Sequence, residues 1–108
     1  MEKIKLVIWD LDETFWKGTL SEEGIIPIQK NIDIINKLTN RGIINSIVSK
    51  NTFEIAKEKL VEIGVWDKFI FPTIEWSAKG PLIKELIDKC QLRASNVLFI
   101  DDNHLNLK

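Results

Sequence analysis

The chain has 108 residues, enough for one core and one domain but not for a separate substrate domain. Hydrophobic residues make up 44% and charged residues 29%, a soluble globular balance, and no apolar run approaches the roughly 18 residues of a membrane span. The 15 basic and 16 acidic residues leave a net charge of -1 and are interspersed, so neither nucleic acid nor a membrane is an expected partner.

A single cysteine, Cys90, excludes an internal disulfide. With His104 as the other soft ligand, a structural zinc site cannot be assembled within one chain, so any metal must be held by oxygen. The charged start Met1-Glu2-Lys3 runs straight into a strand pattern without a secretory signal, which makes the cytoplasm the expected compartment.

Residues 4–9 form a nearly continuous apolar run, the pattern of a strand buried on both faces, and the run ends in Asp10. A stretch of irregular chain follows at 15–27, too short for a folded cap but long enough for a flap. Residues 28–40 carry Ile32, Ile35 and Leu38 at helical spacing and close at Gly42. A second strand at 43–48 leads into Ser49. A second helix at 52–63 can be capped by Thr52, packs through Ile55, Ala56, Leu60 and Ile63, and closes at Gly64. A third strand is expected at 68–71, ending at Pro72. The third helix, 81–89, has Pro81 in its first turn and Leu82, Ile83, Leu86 and Ile87 facing inward. The last strand, 97–100, again ends in acid, at Asp101. Strands alternating with helices imply right-handed crossovers and a three-layer, Rossmann-like α/β fold: a parallel sheet with helices on both faces. Ligands gather outside the carboxyl ends of such strands, where the polar residues converge.

Asp10-Leu11-Asp12-Glu13-Thr14 brings two carboxylates out of the first strand on one short loop. It is either an acidic loop capping the next element or a paired-acid site. In the second case, crowded like charges call for a hard divalent ion such as magnesium, one carboxylate can attack and the other can move a proton. Ser49-Lys50-Asn51 precedes a helix amino terminus, where a hydroxyl, backbone N–H groups and the dipole favour phosphate; N-capping by Ser49, Asn51 or Thr52 is the alternative. Lys79 at the start of the third helix opposes the dipole unless an anion or carboxylate answers it; a solvated surface lysine is the other reading. Asp101-Asp102 repeats the strand-then-acid pattern and can complete an oxygen cage. The four features agree in order and in location, which chance rarely produces.

Asp10-x-Asp12-x-Thr14, Ser49, Lys79 and Asp101-Asp102 together resemble the four ordered motifs of the haloacid dehalogenase-like superfamily, across nearly the whole chain. The resemblance implies a minimal core without a cap domain, with Asp10 as the nucleophile that becomes an aspartyl-phosphate and Asp12 as general acid/base. Ser49 and Lys79, with Lys50 and Asn51 beside them, would bind the substrate phosphate. Magnesium would be held by the Asp10 carboxylate, the Asp12 backbone carbonyl and Asp101, with Asp102 supporting through water. Trp9-Asp10-Leu11-Asp12-Glu13-Thr14-Phe15-Trp16-Lys17-Gly18-Thr19-Leu20, Val48-Ser49-Lys50-Asn51, Ile74-Glu75-Trp76-Ser77-Ala78-Lys79 and Phe99-Ile100-Asp101-Asp102-Asn103 are most similar to the FkbH-like branch. That branch is associated with transfer of a glyceryl group from a phosphorylated glycerate to an acyl carrier protein, while capless relatives hydrolyse phosphate esters.

Two departures limit the likeness to the branch, the first of which counts against acyl relay. Val48 stands where branch members often carry Cys before the motif serine, and Cys90 lies late in the third helix, about 15 Å from its start. The chain also stops at Lys108, soon after Asp102, where relatives continue, so the expectation is a single domain over 1–108, either minimal or a fragment of a larger protein. An open, capless site must draw specificity from its flap, an oligomeric neighbour or a macromolecular partner. Of the four tryptophans, Trp9, Trp66 and Trp76 read as packing residues, Trp16 as a candidate wall of the pocket, and His104 as a surface residue.

Overall fold

Strand β1 (Leu6–Trp9) lies at the centre of the molecule, and all four of its side chains are buried. The computed structural model describes residues 3–20 and 24–101. β1 pairs in parallel with β4 (Ile44–Ser49) on one side and β6 (Val97–Ile100) on the other; β5 (Thr73–Ile74) adds to β4, giving the order β5-β4-β1-β6. The ladder begins one residue before β1: Lys5 donates its N–H to the Asn96 carbonyl at 2.7 Å, and its own carbonyl accepts from Ile44 at 2.9 Å.

Alternation along β1 sends Leu6 and Ile8 to one face and Val7 and Trp9 to the other. On the Val7 and Trp9 face they meet Ile35 of α1 (Gln29–Asn40) and Ala56 and Leu60 of α2 (Phe53–Ile63). On the opposite face Leu6, Ile8 and Val48 pack against Leu86 of α3 (Lys79–Lys89). These are the three layers the alternating pattern predicts. Gly64 ends α2 in the left-handed conformation at φ 91°, where it closes the helix without a Cβ penalty. Among the described residues no helix is long and apolar enough to cross a membrane.

Two expectations shift. The third strand does not run over 68–71. Trp66–Lys68 form a 3-10 turn, Phe69 makes an isolated bridge to Asn45, and Phe71 turns into the left-handed region at φ 52°. Pro72 then has no N–H to offer a ladder, so regular pairing resumes only at Thr73 and Ile74, opposite Val48 and Ser49. In α2, Ile55 is 51% exposed, because Ala56 and Leu60, four residues apart, define the buried stripe and Ile55 sits about 100° off it.

The irregular stretch after the first strand contains a short antiparallel hairpin, β2 (Trp16–Lys17) with β3 (Ile26–Pro27). Gly18, at φ 90°, follows β2; a Cβ there would lie 2.7 Å from the Gly24 carbonyl oxygen, so the two sides of the flap can approach only with glycine. Behind the flap, Phe15 meets Trp9 edge-on at 5.4 Å and Phe69 at 5.6 Å between ring centroids.

Candidate active site

The carboxyl edge of the sheet receives Asp10 from β1, Ser49 from β4 and Asp101 from β6. Asp10 continues the ladder, its N–H donating to the Ile100 carbonyl at 3.0 Å. Since Trp9 is registered with Ile100, Asp10 and Asp101 leave adjacent parallel strands at the same level, a strand spacing of about 4.8 Å apart. The loop then breaks: Asp12 is extended (φ -59°, ψ 130°) and Glu13 left-handed (φ 57°) within a wide turn over Leu11–Phe15. That turn keeps Leu11 and Phe15 in the core while Asp12 remains partly accessible.

The two acids are held differently. Asp10 Oδ1 accepts the Leu11 N–H at 2.8 Å, and Asp10 Oδ2 lies 3.0 Å from Lys79 Nζ, with the Asp10 side chain 14% exposed and that of Lys79 26%. Lys79 is the first residue of α3, and the Asp10 carboxylate answers the charge it places at the helix amino end. Its ammonium also sits 5.7 Å from the Phe99 ring centroid. Among the described residues Asp12 is held not by a cation but by N–H donors: the Trp16 indole at 2.9 Å and the Leu20 backbone at 3.1 Å, both on Oδ1, and the Asn51 amide at 3.1 Å on Oδ2.

Ser49 closes β4, is 1% exposed, and its carbonyl accepts from Glu75 N–H at 3.1 Å. Lys50 is exposed. Asn51 is buried, and its side chain is committed on both ends: the amide to Asp12 and Oδ1 to the Thr52 N–H at 3.2 Å. Thr52 occupies the N-cap of α2 but makes no side-chain cap bond, so the cap expected of it is not formed; Asn51 Oδ1 takes the N–H of Thr52 itself, ahead of the helix. Asp102 and His104 lie outside the described residues.

Trp16 is fully buried, with its N–H on Asp12, and does not wall a pocket. Trp76 is the tryptophan left 61% exposed, on the segment between β5 and Lys79. Sequence reading had no access to the Trp16 and Asn51 contacts with Asp12; the nearest signal is the spacing of four between Asp12 and Trp16 across a tight loop. Thr14 Oγ1, on the same loop, is the buried side-chain polar atom without a hydrogen-bond partner among the described residues.

Among the described residues no group of three or more His, Cys, Asp and Glu side chains comes together. The carboxylates that this edge brings onto neighbouring strands are those of Asp10 and Asp101. An all-oxygen set of this kind fits a small hard dication that keeps several waters, and suits neither zinc nor copper.

No family model and no curated protein matches the chain. Several solved structures do, among them the following two. One is the N-terminal part of a Bacteroides fragilis protein containing a phosphatase domain, complexed with Mg: TM-score 0.82 and 24% identity over 91% of this chain and 30% of that one. The other is an uncharacterized protein from Listeria monocytogenes serotype 4b: TM-score 0.71 and 18% identity over 89% of this chain and 66% of that one. The chain therefore spans about a third of the length of the first and two thirds of the second. At these identities the likeness establishes the fold, a three-layer α/β core with a parallel sheet, which the Bacteroides fragilis phosphatase domain shares.

Proposed function

We propose that the chain is a magnesium-dependent phosphohydrolase of the haloacid dehalogenase-like type, acting on a phosphate ester through an aspartyl-phosphate. The observation that carries this reading is the division of labour between the two acids: Asp10 beside a lysine at the sheet edge, Asp12 held by N–H donors two residues further along the loop. The shared fold with a phosphatase domain complexed with Mg supports it.

In the first half-reaction an Asp10 carboxylate oxygen attacks phosphorus, the bond from phosphorus to the ester oxygen breaks, and Asp12 delivers a proton to the departing oxygen. Lys79 neutralises charge on the transferring phosphoryl group, while Ser49 and the amino end of α2 would bind its oxygens. In the second half-reaction Asp12 takes a proton from water, the water oxygen attacks phosphorus, and the Asp10 carboxylate is released with inorganic phosphate. Bound at Asp10, the Asp12 carbonyl and Asp101, magnesium would supply further charge neutralisation and orientation of the phosphoryl group.

The glyceryl-transfer chemistry of the FkbH-like branch finds no support in the thiol. Cys90 caps the far end of α3, packs beside the Leu86 cluster, and burial pushes its thiol above the usual thiol range, which suits neither nucleophilic attack nor acyl relay. The test is phosphate release from a panel of phosphate esters with and without magnesium, comparing the wild type with Asp10→Asn. Magnesium-dependent turnover that disappears in the variant is the expected result. Turnover retained by Asp10→Asn overturns the mechanism, and a wild type that acylates a carrier protein instead returns the branch chemistry.

A further inference from the structure

Asp12 accepts three hydrogen bonds, and two of the donors, the Trp16 indole and the Leu20 N–H, come from the flap, while the third comes from Asn51 on the opposite side, before α2. Trp16 is fully buried and also opens strand β2 of the hairpin. A side chain that needed only to fill the core would not require an indole N–H there; a phenyl ring would serve. The sequence instead places a buried donor against the carboxylate that the proposed reaction uses for proton transfer. The hydrogen bonds that orient Asp12 on this side are thus also contacts between the flap and the core, beside those that Asn31 makes to the Thr14 and Phe15 carbonyls.

We propose that Trp16 is a positioning residue for Asp12: its buried indole N–H, together with the Leu20 N–H, holds the Oδ1 atom of the carboxylate that the proposed reaction uses for proton transfer. Asn51 clamps the other oxygen, so its side chain serves Asp12 and not the substrate phosphate. The proposal concerns the site described above and rests on the phosphohydrolase reading for its kinetic consequence; the contact itself is testable without a substrate. With Asp12 released on the flap side, its carboxylate can rotate away from the ester oxygen, and small misplacements of a proton-transfer group carry large rate penalties.

The test uses Trp16→Phe, which keeps an aromatic ring and removes the donor, beside Trp9→Phe as a control. Trp9 is equally buried, and its indole donates to Asn45, away from Asp12, so the control loses one buried indole hydrogen bond of the same kind. Trp16→Phe is expected to lower kcat about tenfold or more with KM little changed, while Trp9→Phe stays within about twofold of wild type at a matched loss of stability. Asn51→Ala, which leaves the flap intact, should reproduce the kcat loss; a rise in KM with kcat unchanged would instead make Asn51 a phosphate ligand. Equal kcat values for the two Trp→Phe variants overturn the proposal.

A second readout does not depend on turnover. In a 1H–15N spectrum of the whole chain, Asp12→Asn should shift the indole N–H resonance of Trp16 and leave that of Trp9 in place, and Trp16→Phe should speed solvent exchange of the Leu20 amide. An unmoved Trp16 resonance overturns the proposal even if the enzyme is active. A wild type without phosphatase turnover removes the phosphohydrolase reading, and the resonance still decides whether Trp16 holds Asp12.

Discussion

Lys79 Nζ lies 3.0 Å from Asp10 Oδ2, joining the first residue of α3 to the residue that ends β1. Both side chains are largely shielded, so the pair fixes the nucleophile's rotamer and keeps a cation where phosphate charge would arrive.

Replacing Lys79 by Met removes that cation while keeping the length of the stem. A fall of about a hundredfold in kcat/KM is expected, the size seen when one preorganised charge-stabilising group is removed. Lys79→Arg should recover only part of it, since a planar fork does not substitute for a point charge. Stability should change by no more than about 1 kcal/mol, because a partly exposed pair contributes little. Steady-state kinetics and urea denaturation of the same samples separate the two effects.

Asn45 is the polar centre of the core, accepting from the Trp9 indole at 3.0 Å and donating to the Ile35 carbonyl at 3.3 Å. Asn45→Ala leaves a buried indole N–H without a partner and a space beside it. A loss of about 2–3 kcal/mol is expected, read as a lower urea midpoint. A midpoint within error of wild type would show that water replaces the amide.

Gly18→Ala would set a Cβ 2.7 Å from the Gly24 carbonyl at a backbone angle of φ 90°. The flap must open to admit it, at a cost of about 1–2 kcal/mol. Proteolysis of the native protein should become faster within the flap without a comparable drop in the global unfolding midpoint.

Burial raises the Cys90 thiol above its usual range. At pH 7 to 8 alkylation should therefore be slower than for a free cysteine, approach the free rate only at higher pH, and recover fully in urea. The sign for stability follows. A thiol whose folded value exceeds its unfolded value contributes stability that is fully present below the unfolded value and is lost as pH rises through the folded one. At alkaline pH the midpoint should thus fall more steeply with rising pH than in Cys90→Ser, and equal pH slopes in the two proteins would refute this.

Much of the fold was legible because burial writes itself into apolar periodicity. β1 and β6 read as uninterrupted apolar runs ending in Asp10 and Asp101, and α1 and α3 as stripes around Ile35 and Leu86. The third strand was misplaced because apolar content at 69–71 looks the same whether paired or not. What moved it was a backbone turn at Phe71 and the missing N–H of Pro72, which pattern does not encode. A carboxylate opposite Lys79 was one of two readings the helix dipole allowed, beside a solvated surface lysine, and the 3.0 Å contact with Asp10 decides between them. The grip on Asp12 was not legible, because the Trp16 and Asn51 contacts exist only once the flap and the β4 end are brought to the same edge in three dimensions.

Leu6 pairs with Val97, so the central strand gains its second neighbour only after nearly all of the intervening chain is present. On a ribosome, β1 would wait with an apolar edge exposed until β6 follows. Closing so long a loop is entropically slow, so Asp10 comes to lie beside Asp101 well after β1 itself has emerged, an interval in which chaperones can act.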